Sequence, residues 1–228
     1  PTRRITVNLA PTGIPKAGSV LDLAMAVGLL VACEEIESES ILDLAFLGEL
    51  GLDGSIRPIP GVLPLVDAVE ASGVVVAPGN QPEAALVTTQ RVLGVGDLRT
   101  LVRALRHEAP WPTSVEAPVR AEPVEGPDLS DVRGQRVARF ALEVAAAGVH
   151  HILLVGPPGS GKSMLARRLP GILPDLDPVD ALETTRIRSA AGEDLPPGAL
   201  DLRPPWRAPH HGSSAAALVG GGSRTMRP

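Results

Sequence analysis

The segment His151-Ile-Leu-Leu-Val-Gly156-Pro-Pro-Gly159-Ser-Gly161-Lys162-Ser163 constrains this chain more than any other. A short apolar run enters a glycine-rich turn that ends in Lys-Ser, the form of a phosphate-binding P-loop. Each residue type answers a chemical need. Glycines at 156, 159 and 161 let the backbone curl until successive N–H groups point at one anion, with no Cβ in the way. Pro157, Pro158 and Ser160 complete the turn and belong to the same candidate cofactor-binding set. Lys162 sets an ammonium against the outer phosphates and is the candidate catalytic residue, while the Ser163 hydroxyl is a candidate Mg²⁺ ligand. The spacing predicts a strand over 151–155 and a helix over 164–169, whose N-terminal dipole adds partial positive charge. On average residue usage, the bare pattern arises by chance in about one window in tens of thousands. The chain has two lysines, Lys16 and Lys162, and one of them stands where phosphate binding requires it. Hydrogen bonds to charged groups contribute about 1.5–3 kcal/mol each, so several together hold a nucleoside triphosphate.

The rest of the composition narrows the class. A chain of 228 residues accommodates two domains, or one and a part. Its 44% apolar and 21% charged residues fit a soluble globular protein with real cores. Aromatic residues make up 2% and tyrosine is absent, so those cores rest on Leu, Val, Ile and Ala. A net charge of −5 excludes a generally basic nucleic-acid coat and leaves a local basic loop or a ring channel as the routes to such a partner. The single cysteine, Cys33, excludes an internal disulfide framework and suits a reducing, cytoplasmic compartment. It reads as a small buried apolar residue within a helix. No secretory signal is visible, and the apolar stretch 20–33 is too short to span a bilayer and carries Asp22. No membrane partner is therefore expected. The chain starts at Pro1 and stops at Pro228, which reads as a fragment.

Strand and helix patterns alternate, so the expected class is α/β. Residues 4–9 alternate like a half-buried strand, 11–18 form a loop, and 21–33 read as a core helix. A strand is expected over 45–50, followed by a hairpin turn at Asp53-Gly54 leading to Ile56. A helix follows over 61–72 despite Pro64, then a buried β-branched strand over 73–77. A short helix at 83–87 and a strand at 92–95 come next. Asp97 is the N-cap of a helix to 106 that carries Leu98, Leu101, Val102 and Leu105 on one face. Residues 107–127, with Pro110, Pro112, Pro118, Pro123 and Pro127, lack periodicity and read as a semi-rigid linker. Trp111 keeps an ordered strap across a neighbouring domain open as the alternative. Helices are expected over 137–147 and 179–189. The domains are accordingly 1–106, the linker 107–127, and 128–228.

Several pieces resemble one family. They are Arg4-Ile-Thr-Val-Asn-Leu-Ala-Pro11, Phe46-Leu-Gly-Glu-Leu50, Asp131-Val-Arg-Gly-Gln135, the P-loop, Arg203-Pro-Pro-Trp-Arg-Ala-Pro-His-His211 and Leu218-Val-Gly-Gly-Gly-Ser223. In this order and spacing they resemble the magnesium-chelatase-like AAA+ ATPases of the ComM/YifB type over the whole chain. The resemblance implies a Lon-protease-like α/β domain, incomplete at its N-terminus, followed by the first part of an AAA+ domain cut before its acidic Walker B strand. It implies ATP and Mg²⁺ as cofactors, a homo-oligomeric ring of hexameric type, and single-stranded or branched DNA as partner. The box Val132-Arg-Gly-Gln135 resembles the segment that closes over adenine, which adds Gln135 to the cofactor-binding candidates. In Lon-like proteases a serine and a lysine form the catalytic dyad. Their places fall here on Val20 and Leu63, which serve neither as nucleophile nor as base, and Ser19 stands one position off. Peptidase activity is therefore not expected, and this domain reads as an assembly or interaction platform.

What the resemblance implies for function is an ATP-driven motor moving branched DNA during recombination, with little hydrolysis by this stretch alone. A magnesium-chelatase-type ATPase subunit that remodels a partner enzyme explains the AAA+ half equally well but gives no reason for a Lon-like domain. A non-hydrolysing adaptor is the third reading. For Arg203, Arg207, His210 and His211 three readings stand: a loop gripping a phosphate backbone, a metal-binding histidine pair, or a packed hairpin with salt-bridged arginines. Adjacent histidines in an extended chain point to opposite sides, which disfavours the metal.

Overall fold

The computed structural model describes residues 6–8, 18–86, 90–112, 119–120, 126–196 and 198–220. The chain divides into two compact units, residues 1–118 with 188–199 and residues 119–187 with 200–228. The expected boundaries at 106/107 and 127/128 differ from this division, which places the junction at 118/119. Lys16, the expected strand over 4–9 (apart from residues 6–8, which form none), most of the loop 11–18, the linker segments 113–118 and 121–125, and Gly221 to Ser223 lie outside the described residues.

In the first unit, the β-branched run Gly73–Val76 is the central strand (β4) of a three-stranded parallel sheet, between β1 (Leu44–Phe46) and β5 (Arg91–Gly94). Leu44 pairs with Gly73 and Phe46 with Val75, while Gly73 pairs with Arg91 and Val76 with Gly94. Val74, Val75 and Val76 are all 0% exposed, the mark of a strand covered on both faces. Helix α1 (Asp22–Ala32) and α4 (Leu98–Leu105) supply one covering layer. Leu23 and Val27 of α1 and Leu101 and Leu105 of α4 form one core cluster with Phe46, Val75 and Leu93. Burying such side chains stabilises by about 1.5–3 kcal/mol each. Trp111 packs against this same cluster, so it belongs to its own unit's core.

Polar side chains lock the connections. Asp97 caps α4 by accepting hydrogen bonds from Thr100 N at 2.8 Å and Thr100 Oγ1 at 2.9 Å. Those bonds, the backbone one first, hold its carboxyl below the usual aspartate range. Buried Asn80 accepts from Ile59 N at 2.8 Å and donates to Ile59 O at 2.9 Å, pinning the Pro58–Pro60 turn to the start of α3 (Gln81–Ala84). Segment 188–199 belongs to this unit as well, and Ser189 Oγ donates to Glu83 Oε1.

Several expected elements shift for visible reasons. The strand expected over 45–50 splits into β1 and β2 (Glu49–Leu50), because Leu47 N bonds Val75 O while Gly48 N turns to Val20 O. Strand β2 forms an antiparallel hairpin with β3 (Ile56–Arg57) across Asp53-Gly54, where Gly54 takes φ +83°. Helix α2 covers Val62–Asp67 rather than 61–72, since the chain must reach Gly73, whose N–H bonds Asp43 O. Helix α3 starts before the expected 83, with Pro82 in its first turn. Cys33 is exposed at the C-terminal end of α1, a correction to the buried site expected for it.

The second unit holds α5 (Arg136–Ala147), α6 (Lys162–Ala166), α7 (Pro178–Ala190, whose last residues run into the first unit) and the short α8 (Ala215–Val219). Its core joins Leu129, Val132, Leu142 and Leu165, with Ile152 and Leu154 packed against it. The strand expected over 151–155 is corrected. Those residues alternate as a strand does, yet Leu153 and Val155 are both 85% exposed and no described strand pairs with them. A strand exists by its ladder partners. The parallel sheet of this α/β chain therefore lies in the first unit, and none is described around the glycine-rich loop. Among the described residues no helix is long and apolar enough to cross a membrane.

Candidate nucleotide-binding loop

Two elements present the loop. Residues 151–155 deliver it, and α6 begins at Lys162 with Gly161 as N-cap. The helix is shorter than the expected 164–169, because Leu169–Ile172 tightens into a 3₁₀ turn around Pro170. Gly159 and Gly161 adopt φ +79° and +83°, a region that a Cβ makes costly by about 1–2 kcal/mol. Ser160 N closes the turn on Pro157 O at 3.3 Å. Among the described residues, the backbone N–H groups of Gly159, Gly161, Lys162 and Ser163 meet no protein acceptor. Consecutive unpaired amides around a left-handed turn form an anion-binding concavity.

Lys162 is turned into its own loop. Its Nζ donates to Gly156 O at 2.8 Å, Pro157 O at 2.7 Å and Ser160 Oγ at 3.2 Å. Ser163 is exposed, with its hydroxyl free to meet a ligand from solvent. The residues present thus fit a triphosphate and Mg²⁺. The amides of 159 and 161–163 and Lys162 would hold the phosphates, and Ser163 would hold the metal.

The loop is braced by the box at 131–135. Gly134 and Gln135 take φ +73° and +48° in succession, and Gln135 is the N-cap of α5. A non-glycine residue held there costs on the order of 1–3 kcal/mol. Gln135 Nε2 donates to Ser160 O at 3.1 Å. Arg168 ties the far end of α6 to the same region, donating to Asp128 O at 2.9 Å and Met164 O at 3.0 Å and pairing with Asp131 at 3.4 Å. Asp128 accepts from Ser130, which holds its carboxyl below the usual range, with Arg168 adding a smaller pull. Sequence reasoning singled out the loop and Gln135 as candidates but not Arg168, which sits six residues past Lys162 in no recognisable motif.

The segment 203–211 is not part of this cradle. Arg203 is forked onto Asp201, with Nε at 3.0 Å, and that pairing pushes its pKa up. Arg207, His210 and His211 are exposed, so the packed hairpin is corrected to an exposed irregular segment whose arginine pairing does form. The two imidazoles do not diverge. Their centroids lie 4.0 Å apart at 37°, because Gly212 N bonds His210 Nδ1 and turns the backbone. Among the described residues no cluster of metal-ligating side chains is found.

Comparison with known proteins gives the family. Residues 128–228 match the family model described as magnesium chelatase, subunit ChlI, and residues 1–80 match that of subunit ChlI of Mg-chelatase. An uncharacterized protein of Mycobacterium tuberculosis is 48% identical over 234 residues, covering 100% of this chain and 46% of that protein. Competence protein ComM of Haemophilus influenzae is 39% identical over 229 residues, covering 98% of this chain and 45% of that protein. The chain belongs to the magnesium-chelatase-like family of ComM and YifB. Lon protease 2 of Bacillus subtilis is also similar, 36% identical over 78 residues, or 33% of this chain and 14% of that protein. The chain spans about half the length of the curated ComM/YifB relatives it matches. The family is one of AAA+-type ATPases, for which use of ATP and Mg²⁺ is implied.

Proposed function

We propose that this chain is part of an ATP-driven AAA+ ring motor acting on single-stranded or branched DNA, with residues 156–163 as its nucleotide site. One observation carries the reading. Four unpaired backbone amides and one ammonium converge on a loop that only glycine can shape. On this reading the amides bind the phosphate tail, Lys162 leaves Gly156 O and Pro157 O for phosphate oxygens, and Ser163 orients the metal. The metal supplies charge neutralisation at the outer phosphates. The likeness to competence protein ComM across 98% of the chain supports the ATPase family, and the DNA partner is what the family resemblance of the sequence implies.

The first unit reads as Lon-like without the protease chemistry. Leu63, at the lysine's place, is fully buried in α2, and Val20 stands where a nucleophile is needed. The Ser19 hydroxyl donates to Glu49, which pairs with Arg57 at 3.5 Å, so its described partner is an ion-paired carboxylate and not the lysine of a Lon-type dyad. A platform for ring assembly is the role left to this unit.

The magnesium-chelatase reading stays as the second one, since both matched models carry that subunit's description. ATP turnover of the full-length protein, with and without branched DNA, decides between them. DNA stimulation together with loss of turnover in Lys162→Ala is the expected outcome. Turnover indifferent to DNA sinks the motor reading, and undiminished turnover in Lys162→Ala sinks the site.

A further inference from the structure

We propose that Gln135 is a positioning residue for the phosphate loop, fixing the direction in which the Gly161 amide points. The inference rests on the nucleotide reading of residues 156–163 and deepens it. A trans peptide is planar, so its C=O and N–H point in opposite directions. Ser160 O and Gly161 N belong to one peptide. By donating to Ser160 O at 3.1 Å, Gln135 Nε2 draws that carbonyl to its own side and turns the Gly161 N–H the other way. Glycine leaves this peptide free to flip, because both signs of φ are open to it. The side chain of residue 135 removes that freedom from 25 positions upstream.

The surroundings of Gln135 are arranged for this contact. It holds a left-handed backbone, φ 48° and ψ 41°, where glycine alone is at ease. Arg139 N bonds Gln135 O at 2.9 Å, starting α5, and Arg139 Nη1 donates to Val132 O at 3.3 Å across the same turn. Val132 is buried in the core of the second unit. The turn is thus anchored at both ends while its strained residue reaches the loop. The fit is close. A Cβ on Gly161 would stand 2.9 Å from Gln135 Nε2.

A contact with adenine would give Gln135 a different role, and the two separate by experiment. Full-length protein and its Gln135→Ala, Gln135→Met and Gln135→Glu variants are titrated with Mg²⁺-ATP and with Mg²⁺-tripolyphosphate, which has no base, alongside thermal melts. The expected result is a loss of about tenfold for both ligands in the Ala and Met variants. Gln135→Glu should lose more, because a carboxylate repels the Ser160 carbonyl. Melting temperatures should stay near that of the unaltered protein. Tripolyphosphate bound equally by all four proteins overturns the proposal, whether or not ATP binding falls. If the unaltered protein binds neither ligand, the nucleotide reading itself fails. If it binds both and Gln135→Ala does too, only the role of Gln135 fails.

Discussion

Residues 73–76 and 151–155 are both short, apolar and rich in β-branched or branched side chains, yet one is a strand and the other is not. Val74, Val75 and Val76 are sealed between parallel neighbours and helices. Ile152 and Leu154 pack on one face, while Leu153 and Val155 meet solvent. The difference lies in what surrounds them. Apolar patterning gives a segment the capacity for a ladder, and neighbouring backbone makes the ladder real. The first unit closes its sheet with residues between 44 and 94, whereas the second offers its loop from a segment supported on one side.

Truncating the two regions should give the largest contrast. Leu93→Ala in β5, buried in the core, is expected to destabilise this chain by about 2–5 kcal/mol. Leu153→Ala is expected to change it by less than about 0.5 kcal/mol, as an exposed site does. Urea unfolding of the two variants measures both, and equal losses would break the comparison. The glycines sharpen it next. Gly54 and Gly161 share φ +83°, but an added Cβ meets nothing at Gly54 and meets Gln135 at Gly161. Alanine at either should cost about 1–2 kcal/mol of stability from backbone strain. Only Gly161→Ala should also weaken nucleotide binding, read by calorimetry on the full-length protein.

The smallest effect concerns acid. Asp97 has its carboxyl lowered by Thr100, so its charged form adds stability above the ordinary aspartate value of about 3.9. That contribution fades as pH falls through the lower folded-state value. Asparagine keeps the cap without the titration. Asp97→Asn should therefore match the unaltered chain at low pH and fall below it, by less than about 1 kcal/mol, from pH 4 upward. A pH series of thermal melts tests the sign, and a gap that widens on acidification would refute it.

Much of the first unit could be read from residues alone. Helix α1, the Asp53-Gly54 hairpin, β4 and the Asp97 cap carry local signals: an apolar run, a turn dipeptide, β-branching and a capping aspartate. What escaped depends on distant partners. The break at Leu47-Gly48 comes from a bond to Val20, and the early end of α2 comes from the anchoring of Gly73 by Asp43. At the site, the glycines and Lys162 announce themselves because their chemistry is local. The bond from Gln135 to Ser160 spans 25 residues of chain and leaves no trace in spacing. The facing of His210 and His211 likewise follows from a turn at Gly212 that the extended-chain argument did not foresee.

Lys162 already rests on three oxygens of its own loop. On the nucleotide reading, an incoming phosphate swaps one shell of acceptors for another and does not rescue a bare charge. The gain on binding is a difference between two coordinated states, so affinity depends on how well the visitor's oxygens outbid those carbonyls. On the same reading, Ser160→Ala removes one acceptor of the resting shell, and its effect on ATP affinity is the balance between that gain and the loss of a cofactor-binding candidate.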